Sequence, residues 1–275
     1  MATYKGIQGY SVQKLSSDPT ASKAVGQLWY NSVTGKFKIG TQGDGAWASG
    51  GSLNTARGQG ANAGIQTAAL WAGGEGFETA SEEYDGTSWT EGDNLNTGRR
   101  YLAGTGTQTA ALAFGGRTPP NTKVTLSEEY DGTSWAEGGD IPAALDAMSG
   151  CGTQTAALGI GGAPPVSNVA NIYNGSTWTE VTNMPTASQG GAMSGIQTAA
   201  LYFGGSPPGV QCDSYDGSSW TEKGSLSTGR IWLGGTPAGT SSLALAYGGG
   251  DGPPYNDETE EWTDPVYTIK TVTVS

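Results

Sequence analysis

The chain has 275 residues, 47 of them glycine, with 14% charged residues, a formal net charge of −12 and no histidine. This balance speaks against a nucleic-acid groove, which needs clustered Lys and Arg, and it removes the commonest metal ligand and general base. Glycine at such density suits short strands joined by tight turns; no amphipathic helix, secretory leader or apolar run of about 18 residues is read, so an all-β chain without membrane insertion is expected.

Residues 1–25 are polar, carry Lys5, Lys14 and Lys23, and lack any repeat. They read as an N-terminal anchoring arm. Residues 27–31, 36–39 and 46–48 follow as three strand-like pieces of a meander, parted by Thr34-Gly35 and by residues 42–45. They place residues 26–50 as a partial blade.

From residue 51 the chain becomes an array. Its unit is Gly106-Thr-Gln-Thr-Ala-Ala-Leu112, then Gly115-Gly116, then Glu128-Glu-Tyr-Asp-Gly-Thr-Ser-Trp135. Copies of the first element begin at Gly64, Gly152, Gly195 and, degenerately, Gly239. Trp89, Trp135, Trp178, Trp220 and Trp262 punctuate the array at spacings of 46, 43, 42 and 42 residues. A period in the low forties is that of one four-stranded propeller blade, so residues 51–263 hold five units.

In the second unit, strand a is expected over about residues 100–104, strand b over 109–114 and strand c over about 126–130, with strand d carrying Trp135. Thr107-Gln108 and Asp131-Gly132 are the hairpin turns, the second of type I′. Asp85-Gly86, Asn174-Gly175 and Asp216-Gly217 repeat it. The tryptophan of each unit is expected on the outermost strand, with Trp89, Trp135, Trp178 and Trp220 packed between neighbouring blades. Cys151 and Cys212 fall at different points of the unit and read as small buried residues without a disulfide. Residues 264–275, β-branched and alternating, are expected to close the ring as the innermost strand of the blade begun by residues 26–50. This gives a β-propeller of six four-stranded blades over residues 26–275; five blades beside a separate N-terminal hairpin stay as the alternative.

The order of apolar strand, Gly-Gly, variable loop, Tyr, Trp and Leu-x-x-x-Arg resembles the Kelch repeat across residues 53–263. Tyr84 and Trp89 stand five apart, where Kelch units usually place the pair seven apart. A second resemblance rests on Gly26-Gln-Leu-Trp-Tyr-Asn-Ser-Val-Thr-Gly-Lys-Phe-Lys-Ile39 with Ala46-Trp47, and on the near-identical short repeats. These are similar to phage virion proteins, especially tail-fibre and head-surface proteins of marine phages. That resemblance implies a place on the particle surface. Its partners would be other virion proteins held through residues 1–25, a host surface polysaccharide or receptor, and a second copy of the chain.

Galactose oxidases, copper enzymes on Kelch-type propellers, need His ligands that this chain lacks. Sialidase boxes resemble Tyr-Asp-Gly-Thr-Ser-Trp, but Asp85 to Trp89 is one residue too short. Glu82-Glu83 and Glu128-Glu129 on strand c point to opposite faces and read as solvated blade surface rather than an acid/base pair. No catalytic, metal or cofactor residues are assigned. A non-enzymatic display or attachment protein is expected, with a propeller-type glycan-processing hydrolase as the alternative. Binding is expected on the face carrying the b–c loops, four of them stiffened by Pro-Pro, and the d–a connections. Its candidate contacts are Arg57, Arg99 and Arg230 from the connections and Phe77, Arg117, Lys123 and Tyr255 from the loops. For the first three, a structural role in salt bridges or bonds to carbonyls competes with ligand recognition.

Overall fold

A computed structural model describes residues 13–17, 19, 28–39, 51–207, 209–236, 239–250 and 259–263. The chain divides into two compact units, residues 1–49 and 50–275. In the first, β1 (Gln13–Leu15), β2 (Leu28–Asn31) and β3 (Lys36–Ile39) form one sheet. β2 and β3 pair as an antiparallel hairpin whose turn is set by Asn31, its side-chain oxygen accepting the Val33 and Thr34 N–H groups. β1 runs parallel to β2. Two of the three meander strands are thus present, but their third neighbour comes from within the stretch read as an arm; residues 46–48 lie outside the described residues.

The second unit is a β-propeller arrangement whose described strands form four four-stranded antiparallel sheets and two two-stranded ones. Blade I contains β4 (Ala61–Ile65), β5 (Ala68–Ala72), β6 (Ser81–Tyr84) and β7 (Trp89–Glu91). Blade II contains β8 (Ala103–Thr107), β9 (Ala110–Phe114), β12 (Ser127–Tyr130) and β13 (Trp135–Glu137), with a small hairpin of β10 (Arg117–Thr118) and β11 (Thr122–Lys123) in its b–c loop. Blade III contains β14 (Ser149–Thr153), β15 (Ala156–Ile160), β16 (Ala170–Tyr173) and β17 (Trp178–Glu180). Blade IV contains β18 (Gln189–Ile196), β19 (Ala199–Ser206), β20 (Cys212–Tyr215) and β21 (Trp220–Glu222). β22 (Leu243–Tyr247) and β23 (Thr259–Thr263) continue the series as a fifth sheet. The proposed closing strand, residues 264–275, lies outside the described residues.

The repeated residues hold one blade to the next. Gln108 reaches back from the β8–β9 turn, and its Nε2 donates to the carbonyls of Ala69 (3.0 Å) and Tyr84 (2.7 Å) in blade I. Gln154 and Gln197 do the same to Ala111 and Tyr130, and to Ala157 and Tyr173. The glycine before this turn is obligatory: Gly106 has φ +101°, and a Cβ there would sit 2.3 Å from the Ala110 carbonyl. The second glycine of each pair donates to the next blade, as Gly74 does to Arg99 O, Gly116 to Leu145 O, Gly162 to Ser188 O and Gly205 to Arg230 O, all at 2.8–2.9 Å. Apolar clusters fill the junctions. Leu70 and Ala72 of blade I pack with Ala111, Ala113 and Trp135 of blade II, and Phe114 of blade II packs with Ala157 and Trp178 of blade III.

Three expectations are corrected. Asp131-Gly132 is not a two-residue type I′ turn, because Tyr130 pairs with Trp135 and leaves a four-residue loop. Asp131 instead accepts the Thr133 and Ser134 N–H groups through its side chain, and of the turn pair only the glycine has positive φ. Trp262 lies on strand c of its sheet, opposite Ala244, where Tyr84 stands opposite Ala69 in blade I. The other four tryptophans do open strand d and stack on the strand-c tyrosine at 4.8–5.1 Å. Trp135 and Trp178 are buried between blades, whereas Trp89 and Trp220 are only half-buried. Glu82 and Glu128 are fully buried, not part of a solvated face. Both cysteines are buried and free, and burial raises each thiol to about 12.

Candidate ligand-binding site

The three connection arginines are internal. Arg99 lies in the motif Leu95-Asn-Thr-Gly-Arg99, and its guanidinium is completely buried. Nη1 donates to the carbonyls of Gly115 (3.0 Å) and Leu126 (2.8 Å), and Nη2 donates to Glu128 Oε1 at 3.0 Å. The Asn96 and Thr97 N–H groups cup the same carboxylate from the other side. Arg57 repeats the arrangement with Ala80 O and Glu82, and Arg230 repeats it with Glu260. A carboxylate taken out of water needs this paired, hydrogen-bonded setting. Burial pushes the Glu82 carboxyl up, but the Asn54 N–H, Arg57 and the Thr55 N–H together leave it below its ordinary value. Guanidinium groups so enclosed and so occupied have no face to offer a ligand, so their role in this structure is to hold strand c to the d–a connection.

Two residues beyond Arg57, Arg99 and Arg230, and beyond Leu145 and Ser188 at the same place in the other two connections, the backbone turns into the left-handed region, at Gln59 (φ 63°), Tyr101 (56°), Ala147 (53°), Gly190 (63°) and Trp232 (59°). Four of the five are not glycine, and each such residue is strained on the order of 1–3 kcal/mol. The turn is architectural, because it lets each of the last four residues donate its N–H to its predecessor's carbonyl. Tyr101 donates to Gln59, Ala147 to Tyr101, Gly190 to Ala147 and Trp232 to Gly190, at 2.7–3.0 Å. These residues line the mouth of a central channel of about 380 Å³. The backbone is the same at all five positions while the side chain differs at every one.

A groove of about 400 Å³ opens beside the channel, and Tyr101, Ala147 and Trp232 line both. Its wall also contains Arg100, Arg117 and Asn121. The Trp232 indole is 50% exposed, and its ring centroid lies 5.8 Å from that of Tyr101 at a 35° tilt. Gly190 makes room for it, since a Cβ there would come within 3.0 Å of the indole. Arg100 lies over the Phe77 ring (4.8 Å) and the Tyr101 ring (5.3 Å), and Nη2 donates to Asn121 Oδ1 at 3.0 Å. Arg117 pairs with Asp146 through Nε.

The expected loop residues thus divide. Arg117 lines the groove, Phe77 supports Arg100 from behind, and Lys123 is tied to the Pro164 carbonyl at 2.5 Å on the neighbouring loop. Tyr255 lies outside the described residues. Arg100, Tyr101 and Trp232 are the groove residues that the sequence reading missed. Their signal was a fixed offset from Arg57, Arg99 and Arg230 combined with a side chain that changes in every copy of an otherwise monotonous repeat. Among the described residues, no three His, Cys, Asp or Glu side chains gather as a metal-ligand set. No protein-family model matches the chain, and no curated protein sequence matches it.

Proposed function

We propose that the chain is a non-enzymatic phage virion protein that uses its propeller to attach the particle to a host surface or to a neighbouring virion protein, as a tail-fibre or capsid-decoration component. In this reading the repeats are Kelch-like, residues 1–25 dock on the particle, and residues 26–50 and 264–275 complete a sixth blade. The similarity of residues 26–47 and of the short repeats to phage surface proteins supports the place. The observation that carries the binding role is the channel mouth, where five equivalent backbone positions bear Gln59, Tyr101, Ala147, Gly190 and Trp232. A scaffold fixed by repeated Gln and Gly-Gly contacts frees these positions from structural duty, and variable side chains on a rigid frame are what recognition uses.

Mass spectrometry of purified particles encoded with this chain tests the reading. The chain is expected as a stoichiometric structural component, and antibody against the groove face is expected to block adsorption or assembly. Particles that lack the chain overturn the proposal.

A further inference from the structure

Resting on that reading, we propose that the groove bounded by Arg100, Tyr101, Arg117, Asn121 and Trp232 binds a carboxylate-bearing sugar unit of an acidic polysaccharide. The chain has five arginines in all, and every one lies on the channel-mouth side, in a d–a connection or a b–c loop. Three have buried guanidinium groups paired with Glu82, Glu128 and Glu260, which leaves Arg100 and Arg117 for the surface. Among the described residues Arg117 meets Asp146 through Nε alone, which leaves its terminal nitrogens as a donor edge. Arg100 is held by two aromatic faces and by one bond from Nη2 to Asn121. A guanidinium fixed in this way presents donors in the planar geometry that suits a carboxylate, with little ordering left to lose on binding.

The second component is the aromatic surface. A half-exposed indole beside a tyrosine ring offers an apolar plane with polar edges, matched to the C–H face of a pyranose whose hydroxyls need donors and acceptors around it. Asn121 and Gln189 line the same groove and supply both. On a chain of net charge −12, an anionic ligand is attracted only where cations gather locally, and here Arg100 and Arg117 face one carboxylate, Asp146, so that the groove keeps a net positive charge.

The test is calorimetric titration of the full chain with alginate oligosaccharides, which are uronate polymers, beside neutral dextran oligosaccharides. Saturable binding to the uronates, at least tenfold tighter than to dextran and weakened by added salt, is expected. Trp232→Ala and Arg100→Gln are each expected to weaken it tenfold or more with an unchanged melting transition. Ala147 occupies the Trp232 position in blade III, so alanine fits that backbone. Absence of uronate binding, equal binding of dextran, equal binding of mononucleotides or acidic peptides, or affinity untouched by both substitutions overturns the inference. Virion incorporation is read independently by particle composition, so failure here leaves the attachment reading to its own test.

Discussion

Blades II and IV solve the same burial problem with different residues. In blade II, Arg99 and Glu128 form a buried ion pair, and the strand-b residue opposite Glu128 is Ala113. In blade IV the arginine position is Ser188, the carboxylate position is Asp213, and the residue opposite is Tyr202. Tyr202 puts a large buried side chain where blade II has an alanine. All three blade IV side chains are buried, and Gln211 donates its amide to Asp213 in place of the arginine. Blade III goes further, with Leu145, Asn171 and Gly159 at the three positions, so that both charges are gone. Blade I keeps the Arg57–Glu82 pair with Trp71 opposite the carboxylate, so the facing residue is not tied to the pair; where the arginine is absent, the carboxylate is replaced by Asn171 or is met by Gln211 instead. The copies of the repeat therefore serve as internal controls for the cost of burying charge.

Breaking the pair in blade II gives the largest expected effect. Arg99→Leu leaves Glu128 buried without its cation, and removal of one partner of a buried pair costs about 3–5 kcal/mol. Adding Glu128→Asn converts the site to the Leu/Asn combination of blade III, and most of the loss is expected to return. Urea unfolding midpoints of the wild type, both single variants and the double variant measure the coupling. A double variant no more stable than Arg99→Leu would show that the blade III solution does not transfer.

A smaller effect separates the blade junctions. Gln154→Ala strips the hydrogen bonds from the carbonyls of Ala111 and Tyr130 at a half-buried junction, for an expected loss of about 1–3 kcal/mol. Gln66 holds the same place in blade I but is exposed, so Gln66→Ala is expected to stay within about 0.5 kcal/mol. Equal losses in thermal melts of the two variants would mean that the staple contributes nothing.

These contrasts also explain what the sequence made legible. The period, the Gly-Gly pairs and the four-strand order of each complete blade could be read because the backbone demands them in every copy: a positive φ at Gly106 or a carbonyl contact 2.8 Å from Gly74 has few chemical solutions, although strand a of blade II lies at Ala103–Thr107 rather than over about residues 100–104. Gln108 was legible only as a turn residue, since its role lies in two carbonyls of another blade and nothing local points to them. Glu82 and Glu128 were misread because alternation places them on a face without saying that an arginine more than twenty residues earlier covers it. Trp262 was misassigned by spacing: it holds the register of Tyr84, not of Trp89. The groove was hidden for the opposite reason. Tyr101 and Trp232 sit where the repeat stops repeating, so a search for recurring residues passes over them.

The mildest prediction sharpens the contrast between paired and unpaired carboxylates. Burial holds the Asp213 carboxyl above its ordinary value, only partly offset by the Gln211 bond and reinforced by Glu222. An acid whose folded pKa is raised costs stability wherever it is charged in both states, and that cost disappears once the pH falls below the unfolded value of about 4. Asp213→Asn, which places the blade III residue in blade IV, is therefore expected to raise the unfolding midpoint at neutral pH by the least of the changes considered. The advantage should shrink as the pH falls through the folded pKa of Asp213 and vanish near the ordinary Asp range. Glu82 must behave with the opposite sign. Its folded pKa is lowered, so the stability it contributes is present above its unfolded value and lost as the pH falls through the folded one. Glu82→Gln should accordingly destabilise at neutral pH, with a deficit that closes in acid. Melting curves of both variants between pH 7 and about pH 3 would give one positive and one negative difference converging on zero; two differences of the same sign would end the distinction between the blades.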